Sequence, residues 1–246
     1  LFYSVIATKV LRIKTVWYIR TDVSNSLLTK IGLYLSNNII TIANGVLKSL
    51  PNEVVNKKRK KITNIYTGFD FNNYKIYNKS SSKLGLNIPD ETLVIGYLGS
   101  INERKGLDVL IDSFGKIKIE TQKALLLIVG NISEGYEEFW DEQVKKMKKQ
   151  KINYKHLPFT NNISKVYSAM DIFVLPSRSE GLPRVVIEAM GHRLPVISTD
   201  VGGVREIIVD ANHGLVIKKD DIKELSNGII HLMQSYLYKK EYLLNV

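Results

Sequence analysis

The 246-residue chain contains no cysteine, which removes disulfide frameworks and thiolate chemistry and fits a reducing compartment. Long apolar runs are missing too. The longest clean one, Ala124 to Val129, is far short of the roughly 20 residues a membrane-spanning helix needs. Leu1 to Leu11 lacks the uninterrupted apolar core of a secretory signal, and Leu1 is not an initiator methionine. The four histidines, His156, His192, His213 and His231, show no ligand spacing with one another, so no metal site is expected. The lysine runs carry no interleaved aromatics or recognition motif, which argues against a nucleic-acid partner. A cytoplasmic protein seen as a fragment is the expectation.

What is present is an ordinary α/β composition. With 44% hydrophobic residues, the chain can bury one full domain of roughly 150 residues and part of another. Strand signals at Leu93 to Leu98, Ala124 to Val129, Asn153 to Leu157, Ile172 to Leu175, Val196 to Ser198 and Gly214 to Ile217 alternate with helical stretches. That order predicts a Rossmann-like, doubly wound parallel sheet. The helix expected over 136–150 places Trp140, Val144 and Met147 on one face, with Asp141–Lys145 and Glu142–Lys146 as i,i+4 pairs. The first 75 residues read as the tail of another α/β domain, with strands at Thr15 to Ile19 and Asn38 to Ile42 and a helix from Ser26 to Leu35. The polar stretch Asn72 to Lys83 reads as an interdomain linker.

The most informative segment is Pro176-Ser177-Arg178-Ser179-Glu180-Gly181-Leu182-Pro183, continuing to Glu188. It follows the apolar strand at Ile172 to Leu175, and helical spacing resumes near Arg184. In an open parallel sheet, ligands bind beyond the carboxyl ends of the strands, where helix N-termini present unpaired N–H groups. Glu180 then sits in that crevice and Glu188 about one turn inside the helix. Carboxylates so placed suit sugar hydroxyls better than a bare phosphate. Taken singly, each glutamate reads more simply as a helix cap or a solvated helix residue.

Together with Pro195 to Asp200 and Val201-Gly202-Gly203-Val204-Arg205-Glu206-Ile207, the Glu-x7-Glu pattern resembles the donor-binding region of retaining glycosyltransferase family 4, of GT-B fold. Two further blocks resemble the same family in order: Ile95 to Ser100 with Arg104 to Ile111, and Leu126 to Gly130. The resemblance implies a GT-B type α/β architecture: a partial N-terminal, acceptor-side domain over residues 1–75 and a nucleotide-sugar-binding domain over 76–235. It implies a last segment, 236–246, crossing back onto the first domain. Lys105 then faces the donor diphosphate, Glu180 holds the donor sugar hydroxyls, and Gly181 and Leu182 offer backbone N–H groups. Glu188 accepts from the ribose, and Leu157 and Phe159 lie by the base. Lys105 and Glu180 are the catalytic pair so implied, and no cofactor or metal is required.

The chain departs from the family pattern in places. Ser100 stands where arginine is usual, leaving Arg104 as its substitute at the diphosphate; Arg193 replaces a common glycine, and Arg20 a common histidine. His192 and Arg193 either bring positive charge near the site or, the simpler reading, form a solvated helix end. The implied partners are a nucleotide-sugar donor, UDP- or GDP-linked, and a glycan or lipid-linked acceptor. Net charge of +11, with Lys57 to Lys61 as its densest run, fits either an anionic membrane surface at the inner face, where each basic residue is worth about 1 kcal/mol, or plain solubility, the usual meaning of a lysine run. Two other classes stay open: a nucleotide-sugar-binding remnant without transferase activity, and a GT-B nucleotide-sugar epimerase.

Overall fold

The computed structural model describes residues 2–117 and 124–237. The chain forms two compact units. The first comprises residues 1–69 together with two segments from far downstream, Ser179–Pro183 and Val201–Glu206; the second comprises the rest.

The first unit runs α1 (Phe2–Val10), β1 (Val16–Ile19), α2 (Leu27–Leu35), β2 (Asn38–Thr41), α3 (Asn44–Lys48), α4 (Asn52–Lys58) and β3 (Ile62–Asn64). Its three strands are parallel in the order β1-β2-β3. The expected strands and intervening helix form within a residue of their anticipated ends. Ser26 caps α2 by accepting the Thr29 backbone N–H, which satisfies one of the unpaired donors of a first turn. The short helices α3 and α4 were not legible in the sequence. Leu33, Ile39, Val46 and Val54 are fully buried and form the apolar interior here.

The second unit contains α5 (Lys79–Gly85), β4 (Leu93–Leu98), α6 (Leu107–Lys116), β5 (Ala124–Val129), α7 (Glu137–Lys149), β6 (Tyr154–Leu157), α8 (Ile163–Ala169) and β7 (Ile172–Leu175). It continues through α9 (Arg184–Gly191), β8 (Val196–Thr199), β9 (Leu215–Ile217) and α11 (Ile222–Leu237), while α10 (Val204–Ile207) carries the chain out of the first unit. Six parallel strands lie in the order β6-β5-β4-β7-β8-β9. The winding therefore reverses between β4 and β7, and at such a switch point the flanking loops part to leave a crevice. All six residues of β5 are buried, as a strand covered on both faces requires. Phe114, Ile111 and Leu110 of α6 pack in one cluster with Leu225 and Ile229 of α11.

Two expectations need correction. The stretch read as a linker contains α5, whose first turn is capped by Asn78 accepting the Ser81 N–H. Its inward side is polar: the Lys83 ammonium, almost fully buried, lies 3.1 Å from Asp171 and donates to the carbonyls of Asp90 and Thr92. A helix that buries a satisfied lysine has no apolar stripe to betray it. In α7, Lys146 pairs not with Glu142 but with Asp112 of α6 at 2.9 Å, because the neighbouring helix offers a better-placed carboxylate. The expected crossing segment falls mostly on residues 238–246, outside the described residues.

Candidate functional site

At the carboxyl ends of the second unit's strands, the loops after β4, β5 and β6 lie side by side. A cavity of about 330 Å³ opens there, lined by Leu98, Gly99, Ser100, Gly130, Asn131, Phe159 and their neighbours. Its floor is Leu98 and Val129 at the ends of β4 and β5, and its rim is backbone and small polar side chains. The Tyr97 hydroxyl donates to the Ser100 carbonyl at 2.9 Å, fixing the first loop from below. Asn131 accepts the Phe159 N–H at 2.9 Å, and His156 Nε2 lies 2.9 Å from the Gly130 carbonyl oxygen. Phe159 is 63% exposed, an uncovered aromatic face at the mouth of the cavity.

Beyond Ser100 the chain makes a tight 3-10 turn, Glu103–Lys105, capped by Asn102 accepting the Lys105 N–H. The Asn102 amide also donates to Ser100 Oγ at 3.1 Å and Ser133 Oγ at 2.9 Å, so one side chain ties two strand-end loops together. Lys105 extends beside Gly99: its Cδ is 3.8 Å from where a Gly99 Cβ would stand. Gly106, which starts α6, has φ +67°, and a Cβ there would overlap the Pro176 carbonyl oxygen. Only glycine lets this helix begin so close to the end of β7.

The structure divides the residues implicated by sequence. Ser100 and Phe159 line the cavity together, and Lys105 stands beside its Gly99 wall. Leu157 is half-buried at the end of β6. Arg104 lies on the wall of a different hollow of about 680 Å³, with Asp108, Tyr136 and Arg178. There Arg178 makes a bidentate pair with Asp108 at 2.7 and 3.0 Å and a further bond to Asp220 at 2.7 Å. Glu180, Gly181 and Leu182 belong to the first unit, where all three are buried. The Gly202-Gly203 pair packs on them: Gly203 donates to the Gly181 carbonyl at 2.6 Å, and Gly202 has φ +53°.

Glu188 is buried in α9, not solvated. Its Oε1 accepts from the Tyr74 hydroxyl at 3.1 Å and its Oε2 from the Tyr167 hydroxyl at 3.0 Å. Burial, then the charge of Glu188 and its hydrogen bond, push the Tyr167 hydroxyl well above the ordinary tyrosine pKa, so it remains a donor at neutral pH. His192, read from sequence as a solvated helix end, is buried as well; its ring stacks on Tyr167 with centroids 5.0 Å apart. Both tyrosines were missed in the sequence, where Tyr167 reads as one more core aromatic. Glu206 was also missed as a structural anchor, although its motif was noted.

Among the described residues no group of three or more histidine, aspartate or glutamate side chains could hold a metal ion, and no helix is long and apolar enough to cross a membrane. The cavity and Phe159 offer an apolar face with the Lys105 cation beside the Gly99 wall; Glu188 is not part of that lining, and its carboxylate accepts from Tyr74 and Tyr167.

The model of the family described as "Glycosyl transferases group 1" matches residues 78–243. The capsular polysaccharide biosynthesis glycosyltransferase CapM of Staphylococcus aureus is 28% identical over 214 residues, covering 84% of this chain and 55% of CapM. The lipopolysaccharide core biosynthesis mannosyltransferase LpsB of Rhizobium meliloti is 27% identical over 161 residues, covering 64% of this chain and 46% of LpsB. The chain spans about half the length of the curated relatives it matches. Among solved structures, Anabaena Alr3699/HepE in complex with UDP-glucose superposes with a TM-score of 0.83 at 20% identity, over 98% of this chain and 67% of that one. This likeness establishes the fold class expected from sequence, Rossmann-like α/β of GT-B type.

Proposed function

The chain belongs to the glycosyl transferases group 1 family, and on that footing we propose that it moves a sugar from a nucleotide-sugar donor to a glycan or lipid-linked acceptor in cell-surface polysaccharide synthesis. The observation that carries this reading is the cavity beyond the carboxyl ends of β4, β5 and β6, with Lys105 beside its Gly99 wall. The base lies against that cavity near Leu157 and Phe159, and the ribose hydroxyls donate to Glu188. The diphosphate lies by Lys105, with Ser100 and Arg104 on the same loop. Glu180, with the backbone of Gly181 and Leu182, holds the donor sugar. The relatives named for capsule and lipopolysaccharide synthesis support the polysaccharide context, and the neighbour solved with UDP-glucose supports a UDP-linked donor.

As the glycosidic bond breaks, negative charge grows on the leaving diphosphate. A fixed cation and fixed N–H groups at that place stabilise the transition state more than the ground state, which is what accelerates the step. Family 4 membership and retention of anomeric configuration, with the acceptor hydroxyl attacking on the leaving-group face, complete the reading. The exposed residues of the basic run, Lys57 and Arg59 to Lys61, then hold the protein to an anionic membrane surface where lipid-linked acceptors reside. The test is to incubate the protein with UDP-glucose and with GDP-mannose and follow the anomeric proton by NMR. Sugar released or transferred with the donor's configuration, lost in Lys105→Ala, supports the reading; inverted product, or turnover indifferent to Lys105→Ala, contradicts it.

A further inference from the structure

Glu188 poses a physical problem that the proposed role alone does not solve. Its carboxylate is buried, with a side-chain exposure of 8%, and the Arg184 guanidinium, itself 56% exposed, comes only within 3.9 Å. A buried carboxylate needs hydrogen-bond donors, and a glutamate side chain has three torsions through which to wander. The donors present are the two tyrosine hydroxyls, one on each oxygen. They differ in kind: Tyr167 is fully buried, whereas Tyr74 is only half-buried.

Tyr167 is held rigidly. Its ring stacks on His192 at 5.0 Å with 27° between planes and meets Phe173 edge-on at 5.7 Å. His192 in turn bonds through Nδ1 to the Glu188 backbone carbonyl at 2.7 Å. A carbonyl only accepts, so this nitrogen carries a proton and donates it to the Glu188 main chain. One stacked pair thus grips Glu188 at both ends, its carboxylate through Tyr167 and its main chain through His192. A carboxylate has about four lone-pair positions; two tyrosines occupy two and leave a pair.

Resting on the reading of Glu188 as the ribose acceptor, we propose that Tyr167 and His192 are positioning residues. They fix the Glu188 carboxylate so that its remaining lone pairs meet the two vicinal hydroxyls of a nucleotide ribose. The specificity of the site for ribose over a sugar lacking those hydroxyls then comes from this stacked pair as much as from the glutamate itself.

The test is calorimetric, with UDP, GDP, their 2′,3′-dideoxy counterparts and inorganic pyrophosphate, on the wild type, Tyr167→Phe, Glu188→Ala and the double variant. The expected result is that Tyr167→Phe lowers the preference for ribo- over dideoxynucleotide about tenfold, as loss of one hydrogen bond to a charged group implies. Pyrophosphate affinity should stay unchanged, and the substitution should have no further effect on the preference once Glu188 is alanine. A folded Tyr167→Phe with unaltered preference, beside a Glu188→Ala that abolishes it, overturns the positioning role and leaves the ribose reading intact. A wild type that does not discriminate ribose at all overturns both. Should Tyr167→Phe fail to fold, His192→Phe, which keeps the stack and removes the Nδ1 bond, decides by the same ratio.

Discussion

Glu206 Oε1 accepts the backbone N–H of Gly45 at 2.8 Å, joining residues 161 positions apart. Its other oxygen takes the Asn44 N–H and side-chain amide at 2.9 Å each and the Tyr66 hydroxyl at 2.7 Å. One carboxylate thus caps α3 and closes the first unit around a segment from the far end of the chain.

That anchor sets a pH dependence. Partial burial works to raise the Glu206 pKa, but the hydrogen bonds from Tyr66, Gly45 and Asn44 outweigh it and hold it below its ordinary value. A carboxyl depressed on folding adds stability above its unfolded pKa of about 4.3 and loses it as pH falls through the folded value. Urea unfolding should show wild type more stable than Glu206→Gln at pH 7, with the gap closing below about pH 4. A gap independent of pH would contradict the assignment.

The lysines around Asp171 should behave unequally. Lys83 is almost fully buried, whereas Lys79, 2.7 Å from the same aspartate, has a side chain 41% exposed. Asp171→Ala strands the buried ammonium and should cost about 3–5 kcal/mol, the usual toll of breaking a buried pair. Lys79→Ala should cost less than about 1 kcal/mol. Denaturant midpoints of the two variants check the contrast.

Gly202 cannot accept a side chain. Its φ is +53°, and a Cβ would run into the carbonyl oxygens of Glu180 and Gly181. Gly202→Ala should destabilise by more than about 1 kcal/mol and free the Ser179–Pro183 segment, read as faster proteolysis there than in wild type.

Tyr167 predicts an alkaline effect of the opposite sign to Glu206. A hydroxyl whose pKa is raised on folding contributes stability in full below its unfolded pKa of about 10 and loses it as pH rises through the folded value. Absorbance titration at 295 nm should show Tyr167 ionising only with alkaline unfolding, and Tyr167→Phe should remove that component.

Much of the second unit was legible because its signals are local. Ala124 to Val129 is a continuous apolar run, and a strand covered on both faces has no other appearance. Gly181 and Pro183 after the apolar strand, followed by helical spacing, likewise announced the strand-to-helix junction, and α9 does begin at Arg184. What escaped depends on distant partners. The inward face of α5 is polar because Asp171, in another element, satisfies Lys83, so composition pointed to a linker. Tyr167 lies 21 residues from Glu188, and nothing in its local pattern separates a core aromatic from one that holds a carboxylate. Nor does sequence order show that Ser179–Pro183 packs with the first 69 residues.

The most direct test of the central claim is calorimetric titration of the protein with UDP-, GDP- and ADP-sugars, repeated with Glu188→Ala and Lys105→Ala. Saturable binding of one nucleotide class, weakened about tenfold or more by each substitution, is the predicted result. No binding by a folded chain, or binding that neither substitution alters, would contradict the donor site described for the second unit.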